Sequence, residues 1–149
     1  MVKKKIIVLC TGNSCRSQMA QGYLEHFGGT WVQVFSAGID PKPIHPYAIK
    51  VMREDGISIM HHTSNHIDEY KDLQFDYIIT VCDNANEQCP DYPVKEERFH
   101  KNFPDPAKAI GTEEEILNEF RRVRAMIKEY CFDFIRDVIK DTINEKTNN

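Results

Sequence analysis

The first apolar stretch of the chain is short and leads directly into a helical pattern. Residues 6–9 are consecutive aliphatic side chains, mostly β-branched, which is typical of a strand buried on both faces. Apolar residues then recur every three or four positions from Met19 to Phe27, ahead of Gly28 and Gly29. The sequence therefore predicts a strand followed by an amphipathic helix that ends at the two glycines.

The same two patterns alternate along the rest of the chain. Further strands are predicted at 31–36, 75–82 and 98–103, and Pro46 is predicted to open a second helix. Thr112 and Glu115 form a capping box ahead of a long helix with one apolar stripe. This alternation favours one α/β domain over residues 1–149, with a four-stranded parallel sheet and flanking helices.

Three segments carry weaker patterns. Thr63 or Ser64 is expected to cap a short helix through Ile67 and Tyr70. The polar segment 83–91 is predicted to be a mobile loop, and the polar tail 142–149 is predicted to fray.

Composition narrows the class of protein. The chain has 149 residues, is 41% hydrophobic and carries a net charge of −4, which gives no sign of a nucleic-acid or membrane surface. It shows neither a membrane-spanning run nor a signal peptide, so we expect a cytoplasmic protein, and we expect it to be a monomer. Five cysteines in a reducing compartment indicate chemistry or metal binding before structural disulfides.

The segment between the first strand and the first helix has the composition of an anion-binding loop. Cys10 ends the strand, four small residues follow, and Arg16 and Ser17 open the helix. Unpaired N–H groups and the helix dipole should lower the pKa of this thiol from about 8.5 to roughly 3.5–7.5, and Arg16 matches a tetrahedral oxyanion. Ser17 has a hydroxyl to donate to the thiolate. The predicted oxyanion-binding residues are Thr11, Gly12, Asn13, Ser14, Cys15 and Arg16.

Two other elements add chemistry to the same edge of the predicted sheet. Cys82 ends the third strand, and Cys89 follows seven residues later. Successive thiols of this kind suit disulfide exchange with Cys10, although chance placement is the favoured explanation of the pair taken alone. Asp105 lies between two prolines that stiffen its loop, so it is either a general acid or a solvated turn residue.

Taken together, these motifs resemble the thioredoxin-coupled arsenate reductases, which share their fold with the low-molecular-weight protein tyrosine phosphatases. The resemblance runs from residue 4 to the final helix, and Cys82 and Cys89 point to the reductase branch. It implies a sheet order of 2-1-3-4. The motifs that carry it are residues 10–17, 36–38 and 62–64, the two cysteines, and Asp105-Pro106.

The resemblance also implies a role for each residue. Cys10 attacks arsenate, the loop and Arg16 hold its oxygens, Ser17 stabilises the thiolate, and Asp105 protonates the departing oxygen. Cys82 then attacks Cys10 and releases arsenite, and Cys89 attacks Cys82. Thioredoxin reduces the resulting Cys82–Cys89 disulfide, and no tightly bound cofactor is implied.

Several departures bear on these implications. Some members bind potassium through residues that align with Asn13, Ser36, Thr63 and an aspartate, where this chain has Asn65; the missing charge argues against the ion. Ala107 replaces the aromatic residue that usually follows the acid loop in the phosphatases. Phosphomonoester hydrolysis through the same residues remains the alternative function, and an oxyanion sensor or redox-regulated binding module is a third.

The remaining cysteines and histidines are expected to be structural. Cys15 and Cys131 are assigned to the core, the latter on the apolar stripe of the long helix. His61, His62 and His66 offer a conceivable zinc or nickel site, but surface or capping roles are favoured, and no metal is predicted.

Overall fold

The structure is a computed structural model, and it describes residues 2–88 and 97–141. Four strands form one parallel sheet in the order β2-β1-β3-β4, which confirms the predicted fold class and strand order. The strands are β1 (Lys4–Cys10), β2 (Val32–Gly38), β3 (Tyr77–Thr80) and β4 (Glu97–His100). The helices are α1 (Arg16–Gly28), α2 (Pro46–Glu54), α3 (Asp83–Gln88) and α4 (Glu113–Phe134).

The central strand is the one that the sequence marks most clearly. Residues 6–9 of β1 are at most 1% exposed, because β1 pairs with β2 on one side and with β3 on the other. In a parallel sheet the carboxyl ends of the strands meet at one edge, where ligands usually bind. Cys10, the last residue of β1, therefore lies beside Gly38 of β2. Cys82 comes two positions after the last residue of β3.

Two long helices supply most of the remaining core. α1 packs against α4, and α2 packs against α4. Thr112 and Glu115 cap α4 reciprocally, with the Thr112 hydroxyl accepting from the Glu115 amide and the Glu115 carboxylate from the Thr112 amide; this confirms the predicted capping box. Cys131 of α4 is fully buried. Among the described residues, no helix is both long and apolar enough to cross a bilayer.

Two local predictions were wrong. Asp83–Gln88 forms α3 rather than a mobile loop. Of residues 83–87 only Ala85 is buried, so this segment lacks the apolar period of a longer helix. The short 3₁₀ helix Ile67–Tyr70 exists, but His66 caps it instead of Thr63 or Ser64. The rest of the predicted mobile loop, with Cys89, and the tail 142–149 lie outside the described residues.

Candidate active site

The loop between β1 and α1 is held in shape through its carbonyl groups. Every carbonyl from Thr11 to Cys15 accepts a hydrogen bond of 2.8–3.0 Å. The donors are the amides of Asp40, Lys42, His45 and Met19 and the side chain of Gln18. Because the N–H of a peptide unit points opposite its C=O, the amides of residues 12–16 point away from these five donors. That arrangement leaves them available to an anion, and the anion cradle itself stays a prediction.

Asn13 is the strained residue of this loop. Its φ is +48°, in the left-handed region that asparagine tolerates. The side chain is fully buried and donates to the hydroxyls of Ser17 (2.8 Å) and Ser36 (2.9 Å), while its oxygen accepts from the Asn65 amide. Asn13, rather than Gly12, therefore makes the unusual turn.

Gly38 allows β2 to approach the same loop. A Cβ at this position would lie 2.6 Å from the carbonyl oxygen of Thr11 and 2.9 Å from the nitrogen of Asn13. No side chain fits there without moving the loop, so the small residue ending β2 sets the position of the cradle.

The cavity in front of the cradle has a volume of about 230 Å³. It is lined by the loop together with Arg16, Asp105 and Ala107. Arg16 donates to the carbonyl of Phe103 (3.0 Å) and lies 3.7 Å from the Asp105 carboxylate, whose other oxygen accepts from the Ala107 amide. The structure therefore places a guanidinium and a carboxylate at one oxyanion-sized opening.

Two sulfur atoms lie close together beside this cavity. Cys10 lines it, and Cys82 is near enough that each thiol shifts the pKa of the other. The Thr11 hydroxyl lies 3.2 Å from the Cys82 sulfur. The bond from Cys10, and to a lesser extent Thr11 and Arg16, lowers the pKa of Cys82 to about 5. The same bond, followed by burial, raises the pKa of Cys10 above its ordinary value. The sequence predicted a lowered pKa for Cys10, whereas in the structure the pKa of Cys82 is lowered and that of Cys10 is raised, so the two thiols titrate as a coupled pair.

The remaining predicted residues fall into three groups. Ser17 is buried and accepts from Asn13, so the observed bond supports the loop, and its bond to the Cys10 sulfur stays a prediction. Cys15 is buried beside the Ser14 hydroxyl, and burial raises its pKa to about 11. Cys89 lies outside the described residues.

The four positions aligned with a potassium site form a polar cluster, and three of them line a small cavity of about 50 Å³. Ser36 donates to the Gln21 side chain (2.6 Å) and Thr63 to that of Asn65 (2.6 Å), and Asn13 bonds to both Ser36 and Asn65. These side chains are uncharged and bond to one another, and the expectation that no potassium ion binds here stays a prediction. Sequence reasoning missed Gln18 and Gln21; their only signal was two glutamines about one turn apart on α1.

Comparison with known proteins places these features in a family. Residues 5–146 match the family described as low molecular weight phosphotyrosine protein phosphatase. The arsenate reductase of Bacillus licheniformis is 50% identical over 130 residues, which cover 87% of this chain and 93% of that protein. The arsenate reductase of Bacillus subtilis is 46% identical over 134 residues, covering 90% and 96%.

Solved structures agree with this placement. A structure described as an arsenate reductase in the phosphate-binding state has a TM-score of 0.78 at 32% identity, over 91% of this chain and 98% of the other. Vibrio vulnificus Wzb in complex with benzylphosphonate has a TM-score of 0.76 at 22% identity, over 92% and 100%. The second likeness establishes the shared fold alone.

Proposed function

The chain belongs to the low molecular weight phosphotyrosine protein phosphatase family, and on that premise we propose that it is an arsenate reductase that uses a relay of three thiols. The names of its relatives support the reaction. The observation that carries the proposal is the closeness of Cys10 and Cys82, each of which shifts the pKa of the other, beside a cavity lined by Cys10, Arg16 and Asp105. A hydrolytic enzyme needs one nucleophile there, and this site has two that interact.

The first step is attack of Cys10 on the bound oxyanion. The loop amides and Arg16 hold the oxygens of arsenate in the cradle. The shared proton passes from Cys10 to Cys82 before the Cys10 sulfur attacks arsenic, so that the negative charge lies on the nucleophile. An S–As bond forms, and the displaced oxygen takes a proton from Asp105 and leaves as water.

The second step is the reduction itself. Cys82 gives its proton to an oxygen of the adduct and attacks the Cys10 sulfur, so an S–S bond forms and the S–As bond breaks. The electron pair of the broken bond stays with arsenic, which passes from As(V) to As(III) and leaves as arsenite. Two thiols are oxidised for the two electrons that arsenic gains.

The third step passes the disulfide to Cys89. Cys89 attacks Cys82, frees the Cys10 thiol and leaves a Cys82–Cys89 disulfide for thioredoxin to reduce. We expect this step to require unwinding of α3, the six-residue helix that follows Cys82. A helix of that length spans about 9 Å, whereas a disulfide brings two Cα atoms to within about 4.4–6.8 Å.

The test is arsenite production with thioredoxin and its reductase. Cys10→Ser, Cys82→Ser and Cys89→Ser should each abolish repeated turnover. Cys131→Ala is the matched control, because it removes a buried thiol of α4 that lies outside the cavity lining; it should still turn over. Normal cycling by Cys89→Ser would contradict the relay.

Phosphomonoester hydrolysis is the second candidate, since phosphate and arsenate share shape and charge. It needs Cys10, Arg16 and Asp105 but neither Cys82 nor Cys89. Ala107 lines the cavity and offers no ring to stack on a phosphotyrosine, which disfavours that substrate. Cys89→Ser should keep hydrolysis of p-nitrophenyl phosphate, and Cys10→Ser should lose it. Tight anion binding with neither activity would instead identify an oxyanion sensor.

A further inference from the structure

A second cluster of reactive side chains lies outside the anion cavity, where α1 faces the segment that follows α2. Glu25, His61 and His62 bring one ligand atom each to within 4.8 Å of one another. His62 is buried, His61 is exposed, and the side chain of Glu25 is 41% exposed. The proposed reaction uses none of the three.

Hydrogen bonding determines which nitrogen of His62 carries a proton. Gln18 donates its amide nitrogen to the carbonyls of Asn13 (2.9 Å) and Thr63 (3.0 Å). Its side-chain oxygen, 3.1 Å from Nδ1 of His62, is therefore the acceptor, and Nδ1 is the donor. Nε2 of His62 then faces a carboxylate oxygen of Glu25 at 2.8 Å. A lone pair opposite a carboxylate is repulsive, so a cation belongs between them, either a proton or a metal ion.

The third side chain is what favours a metal ion. A proton between His62 and Glu25 needs only those two partners and gives the third side chain no role. The ring of His61 nevertheless lies 4.6 Å from the ring of His62, at an angle of 76°. Ligand atoms of a tetrahedral zinc ion lie about 3.3 Å apart for bonds of about 2.0 Å. The exposed His61 side chain can supply the small movement needed to reach that spacing.

Access and the outer partners also suit a metal ion. A cavity of about 320 Å³ is lined by Glu25 and His61, which leaves room for a water molecule as fourth ligand. The Nδ1–H of His62 bonds to Gln18, the kind of outer partner that orients a metal-binding imidazole. His66, the other histidine of the sequence cluster, instead caps its own short helix.

We propose that Glu25, His61 and His62 bind a divalent transition-metal ion, with Zn²⁺ as the preferred occupant. Two imidazoles and one carboxylate are donors that zinc accepts readily, and three protein ligands with an open position are a common zinc arrangement. The bound ion links α1 to the segment between α2 and β3. This assignment departs from the expectation, drawn from the sequence, that the histidines serve only as surface or capping residues.

Zinc titration of a variant without the relay thiols tests the proposal. Full-length Cys10→Ser/Cys82→Ser/Cys89→Ser protein removes competing thiolates, and calorimetry should give one Zn²⁺ per chain. Added His61→Ala or Glu25→Gln should weaken binding on the order of 100-fold, since even an outer partner accounts for roughly 10–100-fold. His26→Ala is the matched control, because His26 lines the same cavity but lies outside the cluster; it should leave binding unchanged.

Cobalt provides an independent readout. Co²⁺ should give visible d–d bands without the intense near-ultraviolet charge-transfer band of sulfur ligation, in wild-type protein whose relay thiols are alkylated as well as in the triple variant. His61 is exposed, so His61→Ala should keep its circular dichroism spectrum. Absence of zinc binding in the triple variant would overturn the proposal and leave Glu25 and His62 as an ion pair. Equal affinity in His61→Ala would overturn it as well.

Discussion

Gly38 offers a stringent test of how the anion loop is positioned. In Gly38→Ala, the new Cβ would lie 2.6 Å from the Thr11 oxygen, whereas ordinary contact begins at 3.4 Å. Because the opposing atoms are backbone, the loop must shift by about 0.8 Å. A displacement near 1 Å costs up to about 100-fold in rate, or roughly 2.7 kcal/mol. Overpacking of this kind also costs about 1–3 kcal/mol of stability, which lowers Tm by roughly 3–10 °C.

The matched control is a glycine inside the loop itself. A Cβ on Gly12 would have no neighbour closer than 3.7 Å, and Gly12 is not among the residues with positive φ. Gly12→Ala should therefore change stability by less than about 0.5 kcal/mol. Phosphate affinity by calorimetry and Tm by circular dichroism measure both variants. Wild-type phosphate binding and Tm in Gly38→Ala would refute the steric argument, as would equal damage in Gly12→Ala.

Three further predictions concern charge. The coupling of Cys10 and Cys82 predicts one thiolate in the reduced protein at pH 7, with a titration midpoint near the pKa of about 5 of Cys82. Thiolate absorbance at 240 nm measures this titration, and a midpoint above pH 8 would contradict the pairing. The bonds from Arg121, then Arg124, lower the pKa of Glu54 from 4.5 to about 2. Glu54 thus stabilises the fold above pH 4.5 and loses that effect as the pH falls towards 2, so Glu54→Gln should lower Tm by roughly 2–4 °C at pH 7 and by nothing at pH 2. Replacing Na⁺ with K⁺ at constant ionic strength should leave the rate of arsenate reduction unchanged, and a faster rate in the wild type would refute the expectation that no potassium ion binds. A rate increase that appears only in Asn65→Asp would show that the missing carboxylate decides whether potassium binds.

The sequence predicted what short-range patterns encode. Residues 6–9 marked β1 because burial on both faces requires an unbroken aliphatic run, and Thr112 with Glu115 marked the start of α4 because a capping box is local. α3 escaped detection, since it packs on β1 and β3 but buries only Ala85 among residues 83–87, which leaves no apolar period to recognise. The sharing of a proton between Cys10 and Cys82 was equally hidden, because it depends on two sulfurs 72 positions apart in the chain.

The loop that binds the anion shows the same limit. Small residues and Arg16 indicated a cradle, but its shape depends on donors that lie between Asp40 and His45 and on Gln18. None of these donors carries a recognisable motif. Gly38 likewise appeared as an ordinary end of a strand, because its role is defined by the Thr11 oxygen that it lets approach.

The tethered carbonyls of residues 11–15 have a consequence for selectivity. Because these carbonyls are already hydrogen-bonded, the loop loses little conformational entropy when an anion binds. For the same reason it has little freedom to change shape around one anion rather than another. Tetrahedral dianions of similar radius should therefore enter almost alike. In the proposed reaction, arsenate and phosphate would therefore be distinguished at the redox step and not at binding. Arsenic(V) accepts a pair of electrons from two sulfurs, and phosphorus(V) does not.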